Sequence, residues 1–108
     1  MGATTERVTN RLLGYPDDAR LLLVNADDLG MYPAINEGVV RAFRDGIVRS
    51  TSLMVPCPGA ADAIQRLKEH PDLPFGVHLS IVRDIADYRW GPLAAKERVP
   101  SLPGEAAD

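Results

Sequence analysis

Leu21-Leu22-Leu23-Val24-Asn25-Ala26-Asp27-Asp28-Leu29-Gly30 begins as an apolar run and ends in two adjacent carboxylates and a glycine. The run is too short for an ordinary helix and has no polar side. It reads as a parallel strand buried on both faces, from about Arg20 to Ala26. At the carboxyl end of such a strand the chain turns away into a helix, and Gly30 allows the unusual backbone angles this needs. Parallel sheets, open or closed into barrels, place their chemistry at these ends. Two acids beside apolar structure are costly unless a cation compensates them, and a metal ion is the first candidate.

Downstream the pattern repeats in register with that strand. Pro33 suits a first helical position, and Ile35, Val39 and Phe43, with Ala42 beside them, make one apolar stripe to about Arg44. Gly46 is placed to end this helix in a left-handed conformation, and Gly38 marks close packing on the sheet. Ile47 to Val55 reads as a second strand, stopped by Pro56-Cys57-Pro58-Gly59. A second helix runs from about Ala60 to Glu69, with Ala60, Ala63, Ile64 and Leu67 on one face, and Pro71 stops it. Phe75 to Ile81 alternates cleanly: Phe75, Val77, Leu79 and Ile81 share one face, and Gly76, His78 and Ser80 share the other. The fold expected is α/β, a parallel β-α-β-α-β unit with right-handed crossovers over residues 20–81. Residues 1–19 read as a lead-in, with a short helix in Thr4 to Leu13 and turn chemistry at Gly14-Tyr15-Pro16-Asp17-Asp18. Residues 82–108 lose all periodicity and read as a long loop on the side of the carboxylates. Three parallel strands leave two open edges, and a closed barrel of this kind needs about 250 residues. The 108 residues are therefore expected to be the first part of a longer domain.

Bulk properties narrow the function. A net charge of -3 argues against nucleic acid as a partner. No stretch approaches a membrane span, and Met1 to Asn10 lacks the apolar core of a signal peptide, so the cytoplasm is the default location. The single cysteine, Cys57, excludes an internal disulfide framework and reads as a small packed hydrophobe. His70, before Pro71 at a helix end, reads as a favourable partial charge.

Asp27 and Asp28 end the first strand, and His78 lies near the end of the third. Strand tips in one parallel sheet lie within about 10 Å, so an Asp and a His can share a divalent metal there. Adjacent residues on a regular strand face opposite ways, so both acids reach one site only where the chain bends. One acid on the metal and the other on an attacking water is the division of labour that suits chemistry. A turn or helix cap for the acid pair, and a core histidine for His78, are the bland alternatives. Tyr88-Arg89-Trp90 is either loop packing or a place for a sugar ring to stack. Other acid-pair architectures fit poorly. A receiver domain needs an acceptor Asp at the third strand, where this chain has His78-Leu79-Ser80-Ile81. A haloacid-dehalogenase-type phosphatase needs two aspartates separated by one residue, and here they are adjacent.

Val24 to Met31, Gly46 to Met54 and Gly76-Val77-His78-Leu79, together with Asn36, resemble the YdjC/ChbG-like (ChbG/HpnK) carbohydrate deacetylase family in order and spacing. The likeness runs from about Leu12 to Leu102. It implies a TIM-barrel-like (β/α) deacetylase barrel, a divalent metal (Mg or Zn) and removal of N-acetyl groups from small sugars such as chitooligosaccharides. On that resemblance Asp28 and His78 are metal ligands, Asp27 is the general base, and a further histidine ligand is expected beyond residue 108. Arg89 and Trp90 are the candidate substrate-binding residues. The opposing expectation is a non-catalytic piece that self-associates through its open sheet edges into a homo-oligomer.

Overall fold

A computed structural model describes residues 8–81, 85 and 87–101 of the chain. Its elements are α1 (Val8–Leu12), β1 (Val24–Leu29), α2 (Pro33–Asp45), β2 (Val48–Leu53), α3 (Ala60–Glu69) and β3 (Phe75–Val77), followed by a 3-10 turn at Lys96–Arg98. The strands form one parallel sheet in the order β1-β2-β3. No described helix is long and apolar enough to cross a membrane.

Both long helices pack on one core. Tyr32 is extended before Pro33, which opens α2. Val39 of α2 and Ala63 and Leu67 of α3 close on Leu29 of β1 and Leu53 of β2, with Leu73 completing the cluster. Ile35 and Phe43 pack against its margin, as the four-residue stripe predicts. Burying each of these leucines contributes roughly 1.5–3 kcal/mol. On the same face Thr51 is buried and its hydroxyl donates to the Ala26 carbonyl at 2.6 Å, so a polar side chain sits in the core without an unmet bond. His70 ends α3 by donating its N–H to the Arg66 and Leu67 carbonyls, just before Pro71.

The structure corrects several expectations. Leu21, Leu22 and Leu23 are exposed and precede β1, which starts at Val24 rather than Arg20. Their apolar character alone cannot bury them, because no described element covers them. β3 has three ladder residues, and Phe75, Val77, Leu79 and Ile81 are all exposed. Its pairing ends where β2 ends, opposite Leu53. Ile64 is exposed, whereas Ala60, Ala63 and Leu67 are buried. Gly46 is extended rather than left-handed, and a Cβ there would meet the Ala42 carbonyl oxygen at 2.7 Å. Gly38 faces open space instead of the sheet. The predicted lead-in helix is present at Val8–Leu12, and its first residues, 4–7, lie outside the described ones, as do 82–84, 86 and 102–108.

Asn36 ties the upper end of this unit together. It is completely buried in α2. Its Oδ1 accepts the Gly30 N–H at 2.6 Å, and its Nδ2 donates to the Gly59 carbonyl at 3.0 Å and to Asp62 Oδ2 at 2.8 Å. The bond from Asn36, then that from Arg66, holds the Asp62 carboxyl below its usual range. Gly30 sits at φ +98°, and a Cβ on Gly59 would come within 2.6 Å of the Gly30 carbonyl oxygen. Asn36 thus pins the turn after β1 to the start of α3 at a point where the two backbones nearly touch. Asn36→Leu strands the buried Gly30 N–H, at about 1–3 kcal/mol, and cuts the tie to the Gly59 carbonyl, which keeps only the Ala63 N–H. The urea midpoint is expected to fall sharply, and an unchanged midpoint would contradict this role for Asn36.

Candidate functional site

The sheet face away from the helices carries polar side chains. Asn25 and Asp27 stand two apart on β1, Ser50 and Ser52 two apart on β2, and His78 follows β3 with its N–H bonded to the Leu53 carbonyl at 2.9 Å. The β1–β2 register explains why both acids are here. Ala26 pairs with Thr51 and Leu29 with Leu53, so Asp27 and Asp28 together oppose the single residue Ser52. That is a β-bulge. Asp28 takes φ 65°, the only positive φ at a non-glycine residue among those described. Extra residue and left-handed turn together undo the alternation of a regular strand, and Asp28 approaches the same centre as Asp27. The bend that the adjacent acids required is thus inside the strand, at Asp28, two residues before Gly30.

Asp28 Oδ1 lies 3.3 Å from His78 Nδ1, and both side chains are partly exposed. The structure therefore brings the first and third strand tips together. Asp27 Oδ1 accepts Asn25 Nδ2 at 2.7 Å and the Ser52 hydroxyl at 2.5 Å, and Ser52 Oγ stands 3.5 Å from His78 Nδ1. Ser50 Oγ donates to Asn25 Oδ1 at 2.5 Å. Asn25, Ser50 and Ser52 were legible only as an alternation of small polar residues within strands, a signal overshadowed by the β-branched composition of the segment.

The Asp28–His78 pair passes a simple test for a metal. Two donors on a tetrahedral zinc at about 2.05 Å stand about 3.3–3.4 Å apart. One carboxylate oxygen and one imidazole nitrogen are also the donor chemistry that zinc takes. Among the described residues, no group of three or more His, Cys, Asp or Glu side chains is gathered closely enough to hold a metal.

The loop after β3 packs at the same end. Trp90 is 7% exposed and clusters with Met31, Met54 and Cys57, flanked by Tyr32, Ile35 and Tyr88. The Tyr88 hydroxyl donates to the Met31 carbonyl, and the Tyr32 and Tyr88 rings lie 4.2 Å apart between centroids, tilted by 42°. Burial pushes the Tyr88 hydroxyl up to about 12, with Cys57 adding to the shift. Burial also raises the Cys57 thiol; the Tyr88 hydroxyl partly offsets this and the Asp28 charge adds to it. Cys57 therefore stays a neutral thiol near pH 7 and serves as packing. Trp90 anchors the loop from within, while its neighbour Arg89 is exposed. His70 lines an open depression with Phe43, Arg44, Asp45, Arg49 and Asp72 at the opposite end of the sheet, away from the acids.

The family described as YdjC-like protein matches residues 21–106. A carbohydrate deacetylase of Thermoanaerobacter pseudethanolicus is 41% identical over 86 residues, 80% of this chain and 32% of that protein. A chitooligosaccharide deacetylase of Yersinia enterocolitica is 38% identical over 87 residues, again 80% of this chain and 32% of that protein. A crystal structure from Enterococcus faecalis, described as a cellobiose-phosphate cleavage protein, superposes with a TM-score of 0.67 at 33% identity, covering 77% of this chain and 31% of that one. The chain spans about a third or less of the length of the curated relatives it matches.

Proposed function

The chain belongs to the YdjC-like family, and from that premise we propose that it carries the amino-terminal part of the active site of a metal-dependent carbohydrate deacetylase. The reaction is hydrolysis of an N-acetyl amide on a small oligosaccharide of the chitooligosaccharide class. The observation that carries this reading is the 3.3 Å approach of Asp28 Oδ1 to His78 Nδ1, with Asp27 on the same sheet face. The names of the relatives supply the substrate class. The fold proposed is the first part of a TIM-barrel-like (β/α) barrel. Supporting it are the sequential parallel order, the helices packed on one face and the polar row on the other.

Asp28 and His78 would hold the ion, with a third donor supplied from outside the described residues. The nitrogen donor favours zinc over magnesium, which takes mostly oxygen. A bound divalent ion supplies Lewis acidity to an acetyl carbonyl and acidifies water. Asp27 accepts the proton as water attacks that carbonyl. Arg89, exposed on the loop that Trp90 anchors, would meet the sugar, with Trp90 holding its backbone in position. The test is acetate release from N,N'-diacetylchitobiose by the chain with added zinc, with a chelator as control. Release that chelator removes and zinc restores is expected where the third donor is also supplied, and no release there under any metal condition overturns the reading.

A second reading has its own observation. Phe75, Val77, Leu79 and Ile81 are exposed on and beyond β3, the last strand of the sheet. Self-association through that edge into a homo-oligomer, without catalysis, predicts a mass by light scattering that rises with concentration and no acetate release.

A further inference from the structure

Ser52 is the single β2 residue opposite the β1 bulge, and it stands between the two acids and the histidine. A serine hydroxyl has one proton to donate. Here that proton goes to Asp27 Oδ1 at 2.5 Å, so toward His78 Nδ1, at 3.5 Å, only a lone pair is offered. The second donor to Asp27 Oδ1 is Asn25 Nδ2 at 2.7 Å. Its orientation is fixed in turn, because Ser50 Oγ donates to the carbonyl oxygen of the same amide at 2.5 Å. Flipping the Asn25 amide would set its NH2 group against the Ser50 hydroxyl and its oxygen against a carboxylate. Two donors, one from each strand, therefore converge on one oxygen of Asp27, and Ser50 holds one of them in place. Among the described residues, no hydrogen bond reaches Oδ2.

We propose that Ser52 is a positioning residue for the hydrolysis: with Asn25 it clamps the Asp27 carboxylate through Oδ1 and leaves Oδ2 as the oxygen that takes the proton from water. This rests on Asp27 being the general base. A carboxylate fixed by two bonds on one oxygen keeps its other oxygen on a defined line of approach, and a loosely held base loses rate by spending time off that line. The bulge gives the arrangement its economy, since one hydroxyl opposite two acids can restrain the base without spending a donor on the metal-holding pair.

The experiment compares the chain with its Ser52→Ala and Ser52→Thr variants. The first readout needs no metal and no turnover: three-bond NMR couplings that report the Asp27 χ1 rotamer. One rotamer is expected in the parent chain and in Ser52→Thr, with averaging in Ser52→Ala. The second is calorimetric titration with zinc alone, where Ser52→Ala is expected to match the parent within about twofold. The third is turnover of N,N'-diacetylchitobiose, where Ser52→Ala lowers kcat about 10- to 100-fold with KM unchanged, and Ser52→Thr restores it. A single Asp27 rotamer in Ser52→Ala overturns the proposal. So does a loss of zinc affinity in Ser52→Ala that accounts for its loss of rate. Absence of turnover even with the third donor supplied defeats the deacetylase reading, and the couplings then still decide whether Ser52 holds Asp27.

Discussion

Asp28→Asn is expected to remove divalent-metal binding from this chain altogether. The substitution keeps the side chain's size and shape but takes away its charge. His78 Nδ1, 3.3 Å from Asp28 Oδ1, would then be the lone strong donor of the pair. A neutral amide oxygen is a poor ligand for a dication, and even partners that only touch the ligands typically account for about 10- to 100-fold in affinity. Loss of a ligand itself should exceed that. Calorimetric titration with zinc chloride measures it directly. A heat signature equal to the parent's would place the metal elsewhere and would leave Asp28 and His78 as an ordinary surface contact.

Asp27→Asn should do the reverse. Zinc is still taken up, because Asp27 is not one of the two atoms that converge at 3.3 Å, and the sheet stays intact, because an amide oxygen can still accept the Ser52 hydroxyl. Hydrolysis of N,N'-diacetylchitobiose falls by about 10²- to 10⁴-fold in kcat, the usual contribution of a positioned general base. The pair of results is the informative outcome. Binding lost in one variant and turnover lost with binding kept in the other assigns separate tasks to neighbouring carboxylates. Equal turnover in Asp27→Asn and the parent would remove Asp27 from the chemistry.

Much of this was readable from residue order. The helices were legible because their burial repeats along the chain: Val39 with Ile35 and Phe43 beside it, then Ala60, Ala63 and Leu67. The joint placement of Asp28 and His78 followed from both ending parallel strands. Strand limits were less legible, because burial in a sheet depends on what lies across it. Leu21 to Leu23 look like core residues and are exposed, since no described element covers them. Asn36 is a polar residue within an apolar stripe, and only its partners on Gly30, Gly59 and Asp62 reveal why it is buried. The bulge was invisible for a related reason. It is a mismatch of count between two strands, and neither strand carries it alone.

That bulge narrows what can stand at position 28. Coordination chemistry would accept either acidic amino acid there. A backbone at φ 65° is tolerated by glycine and, among residues with a side chain, most readily by asparagine and aspartate. Of the two acidic residues, only aspartate meets both demands. Glutamate, the nearest chemical stand-in, would have to hold a longer stem in a twist it resists, so a carboxylate at this position has to be an aspartate.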